Sequence, residues 1–191
     1  MAADATIDEQ RLTSLMIGYQ KGSMDDFAQL YDTLKRPLLR YLWTFVRNST
    51  TAEDLLQEVF VRAYRSIQKF DTHRPFAPWL FTIARRAAAT FYRRIRPTVE
   101  IQHETPSDAA DPQKQAESRD DCDRIWSYAR SLKPRYFQVL WLRYREEFSM
   151  QEIAEILGTT NINTKVLLHR ARSDLAKKLA STEMLTTHHL S

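Results

Sequence analysis

Cysteine appears once in this 191-residue chain, at Cys122, and glycine three times, at Gly18, Gly22 and Gly158. A single cysteine closes no internal disulfide, and no Cys/His cluster has zinc-ligand spacing, so the expected setting is a reducing, cytoplasmic one with no metal. Three scattered glycines cannot build either common glycine-rich phosphate loop, which excludes most nucleotide-dependent enzymes and predicts no cofactor. No apolar stretch approaches the ~20 residues that cross a bilayer, and Asp4, Asp8 and Glu9 stand where a secretory leader would be basic and then apolar. No carboxylate cluster or nucleophile–base pair recurs at a plausible spacing, so no enzyme is expected. At this length, one large or two small domains can each bury a core.

The formal net charge of +4 conceals a strong division along the chain. Residues 1–71 are nearly balanced, with 9 basic and 10 acidic side chains. Residues 72–96 carry Arg74, Arg85, Arg86, Arg93, Arg94 and Arg96 with no acid. Residues 97–123 hold 8 acids against Lys114 and Arg119, and residues 124–178 return to 11 basic against 5 acidic. Two basic blocks about an acidic spacer predict two nucleic-acid contacts on one tethered chain.

The periodicity is helical throughout. Ser23 caps a helix that carries Phe27, Leu30, Tyr31 and Leu34 to Pro37, where a second begins and runs through Val46. Thr50-Thr51-Ala52-Glu53 forms a capping box for a helix reaching about Lys69, with Leu55, Leu56, Val59, Phe60, Ala63, Tyr64 and Ile67 as its buried stripe. Glu53, Asp54 and Gln57 cluster at its start, either as cap and dipole partners or as a protein-docking surface. Phe70–Pro78 is a proline-stiffened connection, and a helix from about Trp79 to Arg94 follows. Its inner face is Leu80, Ile83, Ala84, Ala87 and Phe91. Arg85, Arg86, Arg93 and Arg94 gather elsewhere, with Trp79, Phe81 and Tyr92 interleaved, either as a solvated face or as contacts to opened nucleic acid.

Residues 97–120 are rich in proline, serine and acids and read as a flexible linker. Two helices follow, one around Ile125, Trp126, Ala129 and Leu132, and one around Phe137, Leu140, Trp141 and Tyr144. Ser149-Met150-Gln151-Glu152 then opens a short helix as a capping box, and Gly158 ends it in a left-handed residue. Asn161 or Asn163 caps a second helix packed through Val166, Leu168, Ala171, Leu175 and Leu179, with the tail beyond frayed. Lys165, His169, Arg170 and Arg172 lie mostly off that face, in the geometry that enters a DNA major groove. The fold class expected is all-α: two small helical domains, residues 8–96 and 121–180, joined by the acidic linker, the second a helix-turn-helix domain.

Four segments in order carry a resemblance: Thr51-Ala-Glu-Asp-Leu-Leu-Gln-Glu-Val-Phe-Val-Arg62, Arg74-Pro-Phe-Ala-Pro-Trp-Leu-Phe-Thr-Ile-Ala-Arg85, Gln151-Glu-Ile-Ala-Glu-Ile-Leu-Gly158 and Leu168-His-Arg-Ala-Arg172. Together they resemble bacterial RNA polymerase sigma factors of the extracytoplasmic-function (ECF) group of the sigma-70 family, over nearly all of residues 11–180. The resemblance implies that Glu53, Asp54 and Gln57 contact core RNA polymerase, whose β′ and β subunits would be partners. It implies that Phe76, Trp79, Arg85, Arg86, Arg93 and Arg94 read and melt the minus-ten element, and that the linker runs near the RNA exit path. Asn161, Asn163, Lys165, Val166, His169 and Arg170 would read the minus-thirty-five duplex, Val166 against a thymine methyl. An anti-sigma factor is a further candidate partner. The chain departs from the family pattern at Arg86 and Thr90, where an asparagine and an acid are common, and at Leu167, where an arginine is common. It shows none of the extra N-terminal region of a housekeeping sigma factor, as expected for the small two-domain type.

Overall fold

The computed structural model describes residues 7–95 and 120–188, and every regular element in that range is a helix. Helix α1 spans Glu9–Gln20, α2 Met24–Val46, α3 Ser49–Ser66 with a 3-10 turn at Ile67–Lys69, and α4 Phe76–Ile95. In the second unit α5 spans Asp120–Arg130, α6 Pro134–Tyr144, α7 Met150–Leu157 and α8 Asn161–His188. The expected acidic linker, apart from its last residue, lies outside the described residues, as do the last three residues of the tail.

The first unit is a four-helix assembly, and its helix ends follow local chemistry. Asp8 caps α1 by accepting from the backbone of Gln10 and Arg11. Ser23 caps α2 by accepting from Asp26. No new helix begins at Pro37, which lies inside α2. An interior proline costs about 3 kcal/mol, but Leu30, Leu34, Leu38 and Leu42 hold one fully buried i, i+4 stripe across it, and that burial outweighs the lost bond.

Two other boundaries differ from the sequence reading. The cap of α3 is Asn48, whose side chain accepts from Thr51 N at 2.9 Å, so Thr50 lies inside the helix and Glu53 is too far along to close a capping box. Helix α4 begins at Phe76, three residues before Trp79. Pro78 sits in its first turn, where a missing N–H leaves no bond unmade. The cap of α4 comes from another helix: the Glu9 carboxylate accepts from Phe76 N at 2.9 Å and Ala77 N at 2.7 Å.

In the second unit, α6 and α8 pack together beside α5, and α7 leads into α8 through the Gly158 turn. Trp126 meets Phe137 and Trp141 edge-to-face in its core, and Phe137 and Trp141 pack at a tilt. The two units are in contact. Phe81 on α4 meets the Phe148 ring at 5.0 Å, Arg47 Nη2 donates to Arg130 O at 2.6 Å, and Arg130 lies over the Trp43 ring at 5.2 Å.

Candidate nucleic-acid and protein interfaces

The helix-turn-helix is built as its local sequence dictates. Ser149 Oγ accepts from Glu152 N at 3.2 Å and Ser149 N donates to Glu152 Oε2 at 2.7 Å, completing the capping box. Ile153, Ala154, Ile156 and Leu157 are buried, and Gly158 adopts φ 63°. Thr159 N then returns to Ala154 O at 2.9 Å, closing the turn. The cap of α8 is Thr160, whose hydroxyl accepts from Asn163 N at 3.2 Å; Asn161 and Asn163 lie inside the first turn, both exposed.

Thr164 and Ala171 are fully buried on α8, with Leu167, Leu168 and Leu175 packed beside them. Val166 does not join that face; it is 43 % exposed. Lys165, His169, Arg170 and Arg172 are exposed too. Ile162, which the sequence reading passed over, is 75 % exposed. Its signal was there: Ile162 and Val166 stand one turn apart, opposite Thr164 and Ala171. The helix is described as far as His188, past Leu179.

On α3, Glu53, Asp54 and Gln57 are all exposed, and neither carboxylate has an ion-pair partner among the described residues. The neighbouring Glu58 is instead paired with Arg62. Tyr64, expected in the buried stripe, is half exposed, although its ring touches Tyr19 and Phe27.

The basic block divides in two. Arg86, Arg93 and Arg94 are exposed on one side of α4, with Thr90 Oγ1 accepting from Arg93 Nη2 at 3.2 Å. Arg85 is not with them. It faces α7, where its Nε donates to Ile156 O, one of the carbonyls a helix end leaves without an internal partner. Arg74 pairs with Glu155 on the same helix at 3.2 Å. Phe81, expected as a stacking group, is fully buried between Tyr41 and Phe148.

Phe76 does not stand in a loop. It is 2 % exposed, with its ring against Phe70 and Trp79, because it is the first residue of α4 and its N–H is held by Glu9. Trp79 remains half-buried on the same cluster. Tyr92 keeps an exposed edge and donates its hydroxyl to Phe45 O.

Two groups in this region are shifted in acidity. Burial raises the Glu9 carboxyl above its ordinary value, the two backbone donors oppose that shift, and the charges of Glu152 and Asp8 add to it. Burial pushes the Tyr41 phenol upward, Arg85 pulls it down, and Glu146 raises it further. Among the described residues no group of three His, Cys, Asp or Glu side chains could hold a metal, and no helix is long and apolar enough to cross a membrane.

A four-helix unit with an exposed arginine stripe and a second unit ending in a basic recognition helix define a two-part helical DNA-binding protein. The family comparisons narrow the class. Residues 30–98 match Sigma-70 region 2, and residues 122–175 match Sigma-70, region 4. The chain is 30 % identical over 172 residues to the ECF RNA polymerase sigma factor SigW of Bacillus subtilis, covering 84 % of this chain and 92 % of that one. It is 33 % identical over 186 residues to the ECF RNA polymerase sigma factor BldN of Streptomyces coelicolor, covering 93 % of this chain and 69 % of that one. The chain therefore belongs to the ECF group of the sigma-70 family of RNA polymerase sigma factors, which direct polymerase to promoters to initiate transcription. Its fold is similar to that of CnrH in complex with the cytosolic domain of CnrY, with a TM-score of 0.67, 24 % identity and coverage of 90 % of this chain and 98 % of that one. It is also similar to RpoE in complex with the anti-sigma factor NepR from Bartonella quintana, with a TM-score of 0.63, 21 % identity and coverage of 82 % and 98 %.

Proposed function

We propose that residues 8–96 dock on core polymerase and engage the minus-ten element, that residues 121–180 bind the minus-thirty-five duplex, and that 97–120 tether them. Glu53, Asp54 and Gln57 form the docking patch for β′. The observation that carries this is the position of the cap: with Asn48 closing the helix start, the exposed acids of α3 have no capping duty and face solvent unpaired. Arg86, Arg93 and Arg94, with the half-buried Trp79, are the minus-ten contacts. Arg85 joins them only when α4 leaves α7. Phe76 supports that site from within the core.

On α8, Asn161, Asn163, Lys165, Val166, His169 and Arg170 face the duplex, and their charge makes binding weaken with salt through counterion release. The protein acts by binding, without chemistry of its own, in the cytoplasm where core polymerase resides. An anti-sigma factor is a further partner, since the similarly folded RpoE was solved in complex with the anti-sigma factor NepR. Run-off transcription with core polymerase tests the whole. The chain should start transcripts at a matched promoter, and a chain that binds duplex yet never supports initiation would be a plain helix-turn-helix regulator instead.

A further inference from the structure

The outward face of α8 is centred on carbon. Counting 100° per residue, Ile162 and Val166 point directly away from the buried Thr164 and Ala171. Lys165 and Arg172 lie on one flank, Asn163 and Arg170 on the other, and His169 continues the centre line. At 75 % exposure Ile162 exceeds every other large apolar side chain among the described residues. No acid occurs in α8 before Asp174, so the rim attracts a polyanion while Ile162 and Val166 at the centre offer no hydrogen bond.

In the major groove only thymine presents an apolar group, its C5 methyl, whereas guanine and adenine are read by paired donors and acceptors. We infer that Ile162, together with Val166, sets base preference by packing on thymine methyls at the centre of the minus-thirty-five element, with the flanking Lys165, Arg170 and Arg172 on phosphates. Selectivity then comes from shape and desolvation, and the central pairs are T·A with no guanine read by arginine. This rests on the assignment of α8 to the duplex.

The test uses the full chain assembled with core polymerase and a pool of duplexes randomised upstream of the start site. Selection should enrich an upstream element with central thymines. Replacing each of those thymines by deoxyuridine removes only the methyl and should weaken binding about fourfold per methyl, the equivalent of ~0.8 kcal/mol per buried carbon. The Ile162→Ala holoenzyme should bind thymine and uracil versions of its position equally, while Val166→Ala loses the effect one step along. The exposed position of Ile162 leaves the fold intact on truncation. An enriched element that is indifferent to uracil, or whose uracil penalty survives Ile162→Ala, overturns the inference and leaves the duplex assignment standing. A pool that yields no upstream element overturns the assignment itself.

Discussion

Arg85 Nε lies 2.5 Å from the carbonyl oxygen of Ile156, so a side chain of α4 caps the first helix of the helix-turn-helix. The minus-ten and minus-thirty-five elements stand roughly 25 base pairs apart, about 85 Å of duplex at ~3.4 Å per pair. Helices in contact cannot occupy both. On the proposed assignment of α4 and α8, engagement of both elements therefore requires α4 and α7 to part. Arg85→Ala should shift the free protein from the closed to the open form about tenfold, since a hydrogen bond from a charged donor contributes roughly 1.5 kcal/mol or more. Energy transfer between dyes at positions 21 and 177 reads the change, and an unaltered distance distribution would refute it.

Docking should respond to charge at α3. Reversal of Glu53 and Asp54 to lysine should weaken binding to core polymerase at least tenfold in moderate salt, with helix content nearly unchanged because Asn48 supplies the cap. Co-purification at wild-type strength would reduce the patch to a solvated helix face.

Strand opening should separate from general affinity. Alanine at Arg86, Arg93 and Arg94 should lower permanganate reactivity of start-site thymines on duplex promoters and regain much of it on a pre-melted template. Equal defects on both templates would leave these arginines with phosphate affinity alone. Phe76→Ser belongs to a different class: its ring is inside the core, so it should cost roughly 3 kcal/mol of stability, measured by urea unfolding.

Glu9 gives the fold a pH signature. Its folded-state acidity lies above the ordinary value of 4.5, so between that value and the raised one the folded chain keeps a proton that the unfolded chain has released. This contribution to stability falls as pH rises through that window and is constant below it. Glu9→Gln removes it. Between pH 4.5 and 7.5 the urea midpoint of the wild type should therefore fall relative to that of Glu9→Gln as pH rises, and parallel curves would show that Glu9 titrates normally.

What was legible in the sequence was local. Ser149, Glu152 and Gly158 specify their helix ends within a few residues, and the structure places all three as the spacing dictates. The misplaced boundaries have non-local or competing causes. Thr50 offered a plausible cap, but Asn48, two residues earlier, is the one that bonds. Pro37 looked like a break, and only the buried leucine stripe, on a helix packed against α1, α3, α4 and α6, carries α2 through it. The start of α4 depends on Glu9, 67 residues away. The division among the arginines was equally hidden: a one-residue step from Arg85 to Arg86 turns the side chain by ~100°, and nothing nearby in sequence announces that α7 covers the first.

The glycine that ends α7 does more than turn the chain. A Cβ at Gly158 would lie 3.2 Å from Arg85 Nη2, on a backbone already at φ +63°. Any side chain there strains its own turn and also presses on the flexible tip of Arg85 across the contact between the two halves. A substitution made to alter how the second unit grips DNA would thus strain its own turn first and also displace the tip of Arg85 in the first unit by a few tenths of an ångström.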